Sequence, residues 1–224
     1  NTYEMVPDDE GRDSYEMPGF VQSMIEKNLL GKKSQSGFYK TELTPEWQKI
    51  RKVIDPDTLT YGEYETPTYP CLEKARHART LPERMRAVVY GDDKLARFTW
   101  KALANNLIYA ANRIPEISDT IVDIDNAMRW GFNFELGPFE TWDAIGLKES
   151  VDKMARDGFE VPKKIQAMIA AGRSTFYRTD NGKVSYYDFA AEGYRELDVS
   201  PNIIFLKALK GAGKVISGTP SASL

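Results

Sequence analysis

An internal repeat constrains the fold of this chain more than any other feature. The segment PGFVQSMIEK (18–27) aligns with PKKIQAMIAA (162–171), and both keep Pro, Gln, Met and Ile at equal spacing. Each copy continues through a short loop into an aromatic segment, GFYKTE in the first and TFYRTD in the second. The pattern predicts a helix followed by a strand, twice. The helices predicted at 92–146 have no counterpart before the first copy, so we expect the chain to begin inside its first repeat.

Helical sequence precedes the second copy. YGDDKLARFTWKALANNLIYAANR has apolar residues at helical spacing, with Asp92 or Asp93 as the N-cap. SDTIVDIDNAMRWG predicts a second helix, capped by Ser118 or Asp119 and stopped by Gly131.

The stretch WGFNFELGPFETWDAIG (130–146) predicts a corner followed by a short helix. Pro138 suits the first helical turn, and Gly146 suits the position just past the end. Farther on, STFYRTDNGKVSYYDF predicts a β-hairpin that turns at Asn181-Gly182. Residues 41–70, which hold four prolines among many Thr and Tyr, predict an ordered linker that wraps a surface.

The composition is typical of a soluble protein. Hydrophobic residues make up 42%, charged residues 28%, and the formal net charge is -3. No apolar run approaches the length of a membrane helix, and the charge does not favour nucleic acid. The basic cluster from Lys74 to Arg86 predicts a solvated helical face, with a phosphate-bearing ligand as the alternative. With a single cysteine, Cys71, no internal disulfide can form, which favours a cytoplasmic location.

Local catalytic motifs are lacking. Cys71 and His77 do not make a metal site, and we expect His77 to be a surface or boundary residue. Asp123 and Asp125 should point to different helix faces, as a solvated acidic turn. KGAGKV (210–215) departs from the phosphate-binding loop, and no GxGxxG follows a predicted strand. Taken alone, the residues predict a mostly helical module without its own catalytic apparatus.

One family shares these motifs. AANRIPEISDTIVDIDNAMRWGFNFELGPFETWDAIGL resembles the C-terminal domain of 3-hydroxyacyl-CoA dehydrogenases. LLGKKSQSGFYK resembles the motif that closes that domain, with Ser34-Gln35-Ser36 where Thr-Gly-x is usual. The resemblance covers 14–40 and 85–190. The matching residues are Asn112-Arg113, Asp125-Asn126-Ala127-Met128, Gly131-Phe132, Gly137-Pro138-Phe139-Glu140, Asp143 and Gly146.

The resemblance implies a mainly α fold with short β-hairpins and no Rossmann sheet within this chain. Two tandem copies are similar to the long enzymes that fuse this dehydrogenase to an enoyl-CoA hydratase. The implied parts are the tail of a first helical repeat (1–40), a linker (41–84), a second repeat (85–190) and a connector towards the hydratase domain (191–224), whose tail SGTPSASL resembles that junction.

The implied activity is oxidation of 3-hydroxyacyl-CoA to 3-oxoacyl-CoA in fatty acid β-oxidation, with NAD as the cofactor. NAD and a His-Glu general base would belong to a Rossmann domain outside this chain, which alone should be inactive. The helical region would contribute substrate contacts and a dimer surface. The alternatives are a non-catalytic helical interaction or oligomerisation module derived from the repeat, and a different dehydrogenase with a similar dimerisation domain, which the pairing of GPFE with GFYK disfavours.

The resemblance also assigns residues. Asn112 matches an Asn near the substrate carbonyl, and the alternative is a relic packed in a pseudo-dimer between repeats. Lys32, Lys33 and Lys40 could meet CoA phosphates, and the alternative is a solvated loop.

The GPFE corner is expected to be architecture rather than a reactive site. Gly137 would permit a close approach, Pro138 would start the helix and Phe139 would anchor it. Glu140 and Asp143 would lie in the first turns, where the helix dipole favours acids. The aromatic pairs that follow each repeat helix, Phe38-Tyr39 and Phe176-Tyr177, are expected in the core.

Overall fold

The computed structural model of the protein describes residues 2–181 and 183–198, with Gly213 and Ser217. Within these residues, helices predominate and the β-structure is confined to two three-stranded antiparallel sheets. The α-helices are α1 (Thr2–Met5), α2 (Gly19–Glu26), α3 (Pro70–Arg76), α4 (Leu81–Val89), α5 (Lys94–Asn112), α6 (Ile121–Phe132), α7 (Pro138–Ile145), α8 (Leu147–Arg156) and α9 (Lys163–Ala170). The strands are β1 (Tyr39–Leu43), β2 (Lys49–Ile54), β3 (Tyr61–Glu63), β4 (Tyr177–Asp180), β5 (Lys183–Asp188) and β6 (Gly193–Glu196). The mainly α prediction is confirmed.

The chain divides into two compact units, an N-terminal unit (Asn1–Thr68) and a C-terminal unit (Tyr69–Leu224). The N-terminal unit contains α1, α2 and the sheet β1-β2-β3. The C-terminal unit contains α3 to α9 and the sheet β4-β5-β6. The division of the sequence into two homologous repeats stays a prediction.

Residues 41–70 contain strands that the linker prediction missed. β2 pairs with β1 from Tyr39↔Val53 onward, and β3 pairs with β2. The turn between β2 and β3 is held by Asp55, whose carboxylate accepts hydrogen bonds from the amides of Asp57 and Thr58, both at 2.9 Å. The prolines in this segment fall between or beyond the strands, so they remove no ladder hydrogen bond.

The C-terminal unit repeats this geometry. The amide of Tyr187 donates to the carbonyl of Phe176 at 2.7 Å, as the amide of Ile54 donates to the carbonyl of Phe38 at 3.0 Å. The carboxylate of Asp188 accepts from two turn amides, at 2.8 and 3.1 Å, in the same way as that of Asp55.

The third strands also correspond. The hydroxyls of Tyr61 and Tyr194 each donate to the carbonyl of the residue before the aromatic pair, both at 2.5 Å. The two units therefore share this geometry through a third strand. In the second copy this strand, β6, lies in the segment predicted as a connector.

The predicted hairpin at 175–190 is confirmed by the pairing of β4 with β5. Asn181 has a φ of 48°, as a tight turn requires, whereas Gly182 lies outside the described residues. The segment KGAGKV (210–215), which departs from the phosphate-binding loop, and the tail SGTPSASL lie outside the described residues as well, apart from Gly213 and Ser217.

The helix caps agree with the sequence in part. Asp93 caps α5 by accepting from the amide of Ala96 at 2.9 Å, as predicted. The predicted cap of α6 was wrong, because Thr120 accepts from the Asp123 amide instead of Ser118 or Asp119. The predicted stop at Gly131 was also early: α6 ends at Phe132, and its C-cap is Asn133, whose φ is 56°.

The hydrophobic core lies in the C-terminal unit. Its largest fully buried side chains come from α5, α6, α7, α8, α9 and the start of β4: Trp142, Phe139, Phe176, Leu107, Ile121, Ile145, Leu147, Met154, Ile165 and Met168. In the described part of the N-terminal unit, the buried hydrophobic residues are Met24 and Ile54. In the described part of the chain, no helix is long and apolar enough to cross a bilayer.

Candidate functional site at the α6–α7 corner

The corner between α6 and α7 is built on a close contact between Gly137 and Asp125. A Cβ atom at Gly137 would lie 2.3 Å from the Cα of Asp125, a separation that real Cβ atoms do not adopt. Gly137 is the N-cap of α7, and Pro138 occupies the first turn, where a missing amide costs no hydrogen bond. Gly137 therefore lies at a close approach to α6, and Pro138 begins α7.

Asp125 caps α7 from a neighbouring helix. Its two carboxylate oxygens accept from the amides of Phe139 at 2.8 Å and Glu140 at 3.1 Å. The hydroxyl of Tyr177 donates to the same carboxylate at 2.9 Å. The predicted solvated acidic turn is therefore wrong for Asp125, which is only 2% exposed, whereas Asp123 is exposed. A carboxylate at this position stabilises α7, because the first amides of a helix have no acceptor within the helix itself.

Burial changes the acidity of this group. Desolvation raises the pKa of Asp125 from 3.8 to about 7, against the hydrogen bonds from Phe139 and Tyr177, which lower it. Burial and the nearby Asp125 carboxylate raise the pKa of Tyr177, so its hydroxyl stays a donor.

Glu140 completes the cap from within α7. Its carboxylate accepts from the Gly137 amide at 3.0 Å and lies 3.4 Å from the guanidinium of Arg129. Its predicted place in the first turn is confirmed.

Asp143 joins α7 to the start of β4. Its carboxylate accepts from the amides of Phe176 at 2.7 Å and Tyr177 at 2.8 Å. Phe139 is fully buried, with its ring centroid 5.0 Å from that of Phe176. Phe139 thus packs α7 against the residue before β4. The sequence assigned Asp143 only to the helix dipole and missed its contact with β4, because the two segments lie more than thirty residues apart.

Asn112, the proposed substrate contact, is the last residue of α5 and is half-buried. Lys164 of α9 donates to the carbonyls of Ala111, at 3.1 Å, and Ile114, and so satisfies the C-terminal end of α5. Burial and the charge of Arg113 lower the pKa of Lys164. Asn112 therefore lies on a helix end that is fixed by a second helix.

The three lysines proposed for CoA phosphates lie in the N-terminal unit. Lys32 and Lys33 are exposed in a short 3-10 helix, and Lys40 pairs with Glu42 at 3.0 Å in β1. Lys32 and Lys33 are thus accessible to an anion, whereas Lys40 is already engaged. Because they belong to a different unit, Asn112 and the lysines remain two separate proposals.

The end of α6 carries exposed aromatic side chains. Trp130 is 79% exposed, Phe132 69% and Phe134 51%, and the rings of Phe132 and Phe134 lie 6.2 Å apart. An exposed apolar cluster of this kind is typical of an interaction surface.

The remaining candidates offer little chemistry. Cys71 is buried, and its thiol donates a hydrogen bond to the carboxylate of Asp93. Burial and that carboxylate both raise the pKa of the thiol. His77 is exposed at the end of α3, as predicted. Across the described residues, no group of three or more His, Cys, Asp or Glu side chains could hold a metal ion.

The described residues do not fit NAD. Both described sheets are antiparallel, and a dinucleotide site needs a glycine-rich turn between a parallel strand and a helix N-terminus.

Comparisons with known proteins match the segment that contains the corner. Residues 98–169 match the family model of the 3-hydroxyacyl-CoA dehydrogenase C-terminal domain. The chain is 41% identical over 224 residues to a Bacillus subtilis (strain 168) protein named probable 3-hydroxyacyl-CoA dehydrogenase, of which it covers 27%. It is 27% identical over 120 residues, 54% of this chain, to a Rickettsia felis protein named putative fatty acid oxidation complex trifunctional enzyme, of which it covers 15%. The chain thus spans less than a third of these relatives, and no solved structure matches it.

Proposed function

We propose that this chain is the central substrate-side and dimerisation region of a 3-hydroxyacyl-CoA dehydrogenase, because residues 98–169 match the family model of that enzyme's C-terminal domain. The reaction is the oxidation of 3-hydroxyacyl-CoA to 3-oxoacyl-CoA in fatty acid β-oxidation, with NAD as the oxidant. NAD and the general base belong to another part of a longer polypeptide, in keeping with the length of the relatives. An enoyl-CoA hydratase domain in the same polypeptide and a cytoplasmic location complete the proposal.

One observation carries it: the family match spans the elements that build the α6–α7 corner and present Asn112. Residues 98–169 run from α5 to α9, and within them Asp125, Gly137 and Asp143 make the contacts that fix α7. The same match includes Lys164, which satisfies the end of α5 beside Asn112. These contacts fix the position of α7 and satisfy the end of α5.

This chain contributes binding and positioning to the reaction. The side-chain amide of Asn112 can donate a hydrogen bond to the thioester carbonyl of the acyl-CoA. Lys32 and Lys33 can offer point charges to CoA phosphates. The aromatic cluster of Trp130, Phe132 and Phe134 can serve the dimer or the contact between repeats.

The first test is the size and activity of the native polypeptide that carries this segment. Antibodies against residues 85–190 would recover it from source cells for intact mass and for an assay with 3-hydroxybutyryl-CoA and NAD. A much larger polypeptide that reduces NAD would support the proposal. A native product of this length that is inert but oligomeric would replace it with the helical interaction module, which the exposed aromatic cluster favours.

Asn112 has its own test in the active polypeptide. Asn112→Ala should lower kcat/KM by at least about tenfold, because each lost transition-state hydrogen bond costs on the order of 1.4 kcal/mol or more. Asn105→Ala, at an exposed position on α5, is the matched control and should keep full activity. Unchanged kcat/KM in Asn112→Ala would assign Asn112 to packing between repeats.

A further inference from the structure

The two aromatic pairs that open the sheets have opposite environments. Phe176 is fully buried, whereas Phe38 is 53% exposed and Tyr39 45% exposed. The prediction that both pairs lie in the core is therefore wrong for the first pair. The repeat gives the two pairs the same position, since each first residue accepts the equivalent hydrogen bond from the second strand.

In the C-terminal unit, α7 covers the pair. Phe139 and Trp142 place their ring centroids 5.0 and 5.4 Å from that of Phe176. The carboxylate of Asp143 then binds both backbone amides at the start of β4. One helix therefore supplies an apolar contact and an acidic clamp within five residues.

In the N-terminal unit, the pair has only partial cover. Phe38 meets the ring of Phe20 at 6.3 Å, and Tyr39 lies against Tyr64 and the guanidinium of Arg51. Among the residues that the structure describes, no carboxylate accepts a hydrogen bond from the amide of Phe38 or Tyr39.

The backbone at this edge points in the right direction for a clamp. Tyr39 faces Val53 as a non-hydrogen-bonded pair, since the flanking Ile54 amide bonds to the Phe38 carbonyl. The Tyr39 amide therefore points away from β2, as the Tyr177 amide does where it meets Asp143. The exposed basic side chains nearby in sequence, Lys32 and Lys33, favour an acidic partner.

We propose that Phe38 and Tyr39 form the docking site for a second helix of the α7 type. That helix begins with Gly-Pro-Phe and carries an aromatic residue and an aspartate one turn later. It comes from another part of the longer polypeptide, so the proposal rests on the proposed function. A second copy of this chain is a poor source, because its own α7 is buried against its own β4, with Phe139 and Trp142 both 0% exposed.

The test uses the helix sequence that the molecule already contains. A peptide of residues 135–148, ELGPFETWDAIGLK, is fused to the N-terminus of the 224-residue chain through a flexible Gly/Ser linker. A linker of about 15 residues reaches roughly 20 Å and holds the peptide at millimolar effective concentration, which offsets the weak helicity of a short peptide. Amide exchange is then followed by NMR.

We expect the tethered peptide to slow exchange at Phe38 and Tyr39 by at least about tenfold, the effect of roughly 1.4 kcal/mol of docking. Changing the peptide's own aspartate, the counterpart of Asp143, to Asn should abolish the protection, as should Phe38→Ala in the chain. Leu43→Ala, on the same strand and 54% exposed, is the matched control and should leave it intact.

Two results would overturn the proposal. One is unchanged exchange at Phe38 and Tyr39 in the fusion while the peptide remains intact. The other is protection that persists in both the aspartate variant and Phe38→Ala. Concentration-dependent protection in the chain without the peptide would instead identify a second copy as the occupant. None of these readouts needs acyl-CoA or NAD, so failure here is distinct from failure of the proposed activity.

Discussion

Asp125 shows at the scale of one residue how a buried carboxyl group is held inside the corner. Its carboxylate replaces water with two backbone amides and a tyrosine hydroxyl, yet burial still outweighs these donors and raises its pKa to about 7. Removing it would leave the first amides of α7 without an acceptor, at a cost of roughly 1–3 kcal/mol each.

This raised pKa predicts how stability depends on pH. Between about pH 4 and about pH 7, folded Asp125 keeps a proton that the unfolded chain has lost, so the free energy of unfolding falls as pH rises, by up to roughly a few kcal/mol. Above that window this contribution is constant. Asp125→Asn should flatten the slope in urea unfolding across the window. The exposed Asp119→Asn should retain it, and an equal slope in wild type and Asp125→Asn would contradict the expectation.

Gly137 gives a second prediction at this scale. Gly137→Ala should lower the free energy of unfolding by roughly 2 kcal/mol or more, because the new Cβ would overlap the backbone of Asp125. Gly131→Ala is the matched control, since its Cβ would meet nothing within 4 Å and it lies in α6. That variant should be neutral or gain about 0.5–1 kcal/mol, the helical advantage of alanine. Urea unfolding of both variants would decide, and similar values for the two would contradict the close-contact explanation.

At the scale of elements, the carboxylate of Asp143 on α7 binds backbone amides at the start of β4 in the C-terminal unit. Asp143→Asn leaves a single side-chain acceptor for the amides of Phe176 and Tyr177 and removes its charge. We expect exchange of these two amides to accelerate by at least about tenfold, while the β5–β6 pairing stays protected. Asp180→Asn, at the exposed end of β4, is the control. Unchanged protection in Asp143→Asn would show that ring packing alone fixes the strand.

The elements also show how far the sequence could lead. The helices at 92–170 were predictable, because Asp93, Pro138 and Gly146 punctuate strongly periodic segments. Strands β2, β3 and β6 were not predictable, because they are short and β2 and β3 lie among prolines. The turn before the third strand depends on a single side chain, Asp55 in one unit and Asp188 in the other. The burial of Asp125 was equally hidden, because its donors are assembled only when α7 folds back onto α6.

At the scale of the whole molecule, the described parts of the two units differ in the size of their buried core. The described core is confined to the C-terminal unit, where Phe139, Trp142 and Phe176 pack with α5, α8 and α9. The described part of the N-terminal unit buries the hydrophobic side chains of only Met24 and Ile54. A unit of 68 residues with so small a core is below what usually sustains a fold.

We therefore expect residues 69–224, expressed alone, to unfold cooperatively in urea with nearly the midpoint of the same transition in the full chain. Residues 1–68 alone should unfold without a cooperative transition, because burial there cannot offset the conformational entropy of folding. With the α7-type peptide tethered to them, residues 1–68 should unfold cooperatively, because the peptide would cover Phe38 and bind the amides at the start of β1. A cooperative transition in residues 1–68 without any peptide would show that the exposed pair needs no cover, and would direct attention to the exposed aromatics of α6 as the principal interaction surface.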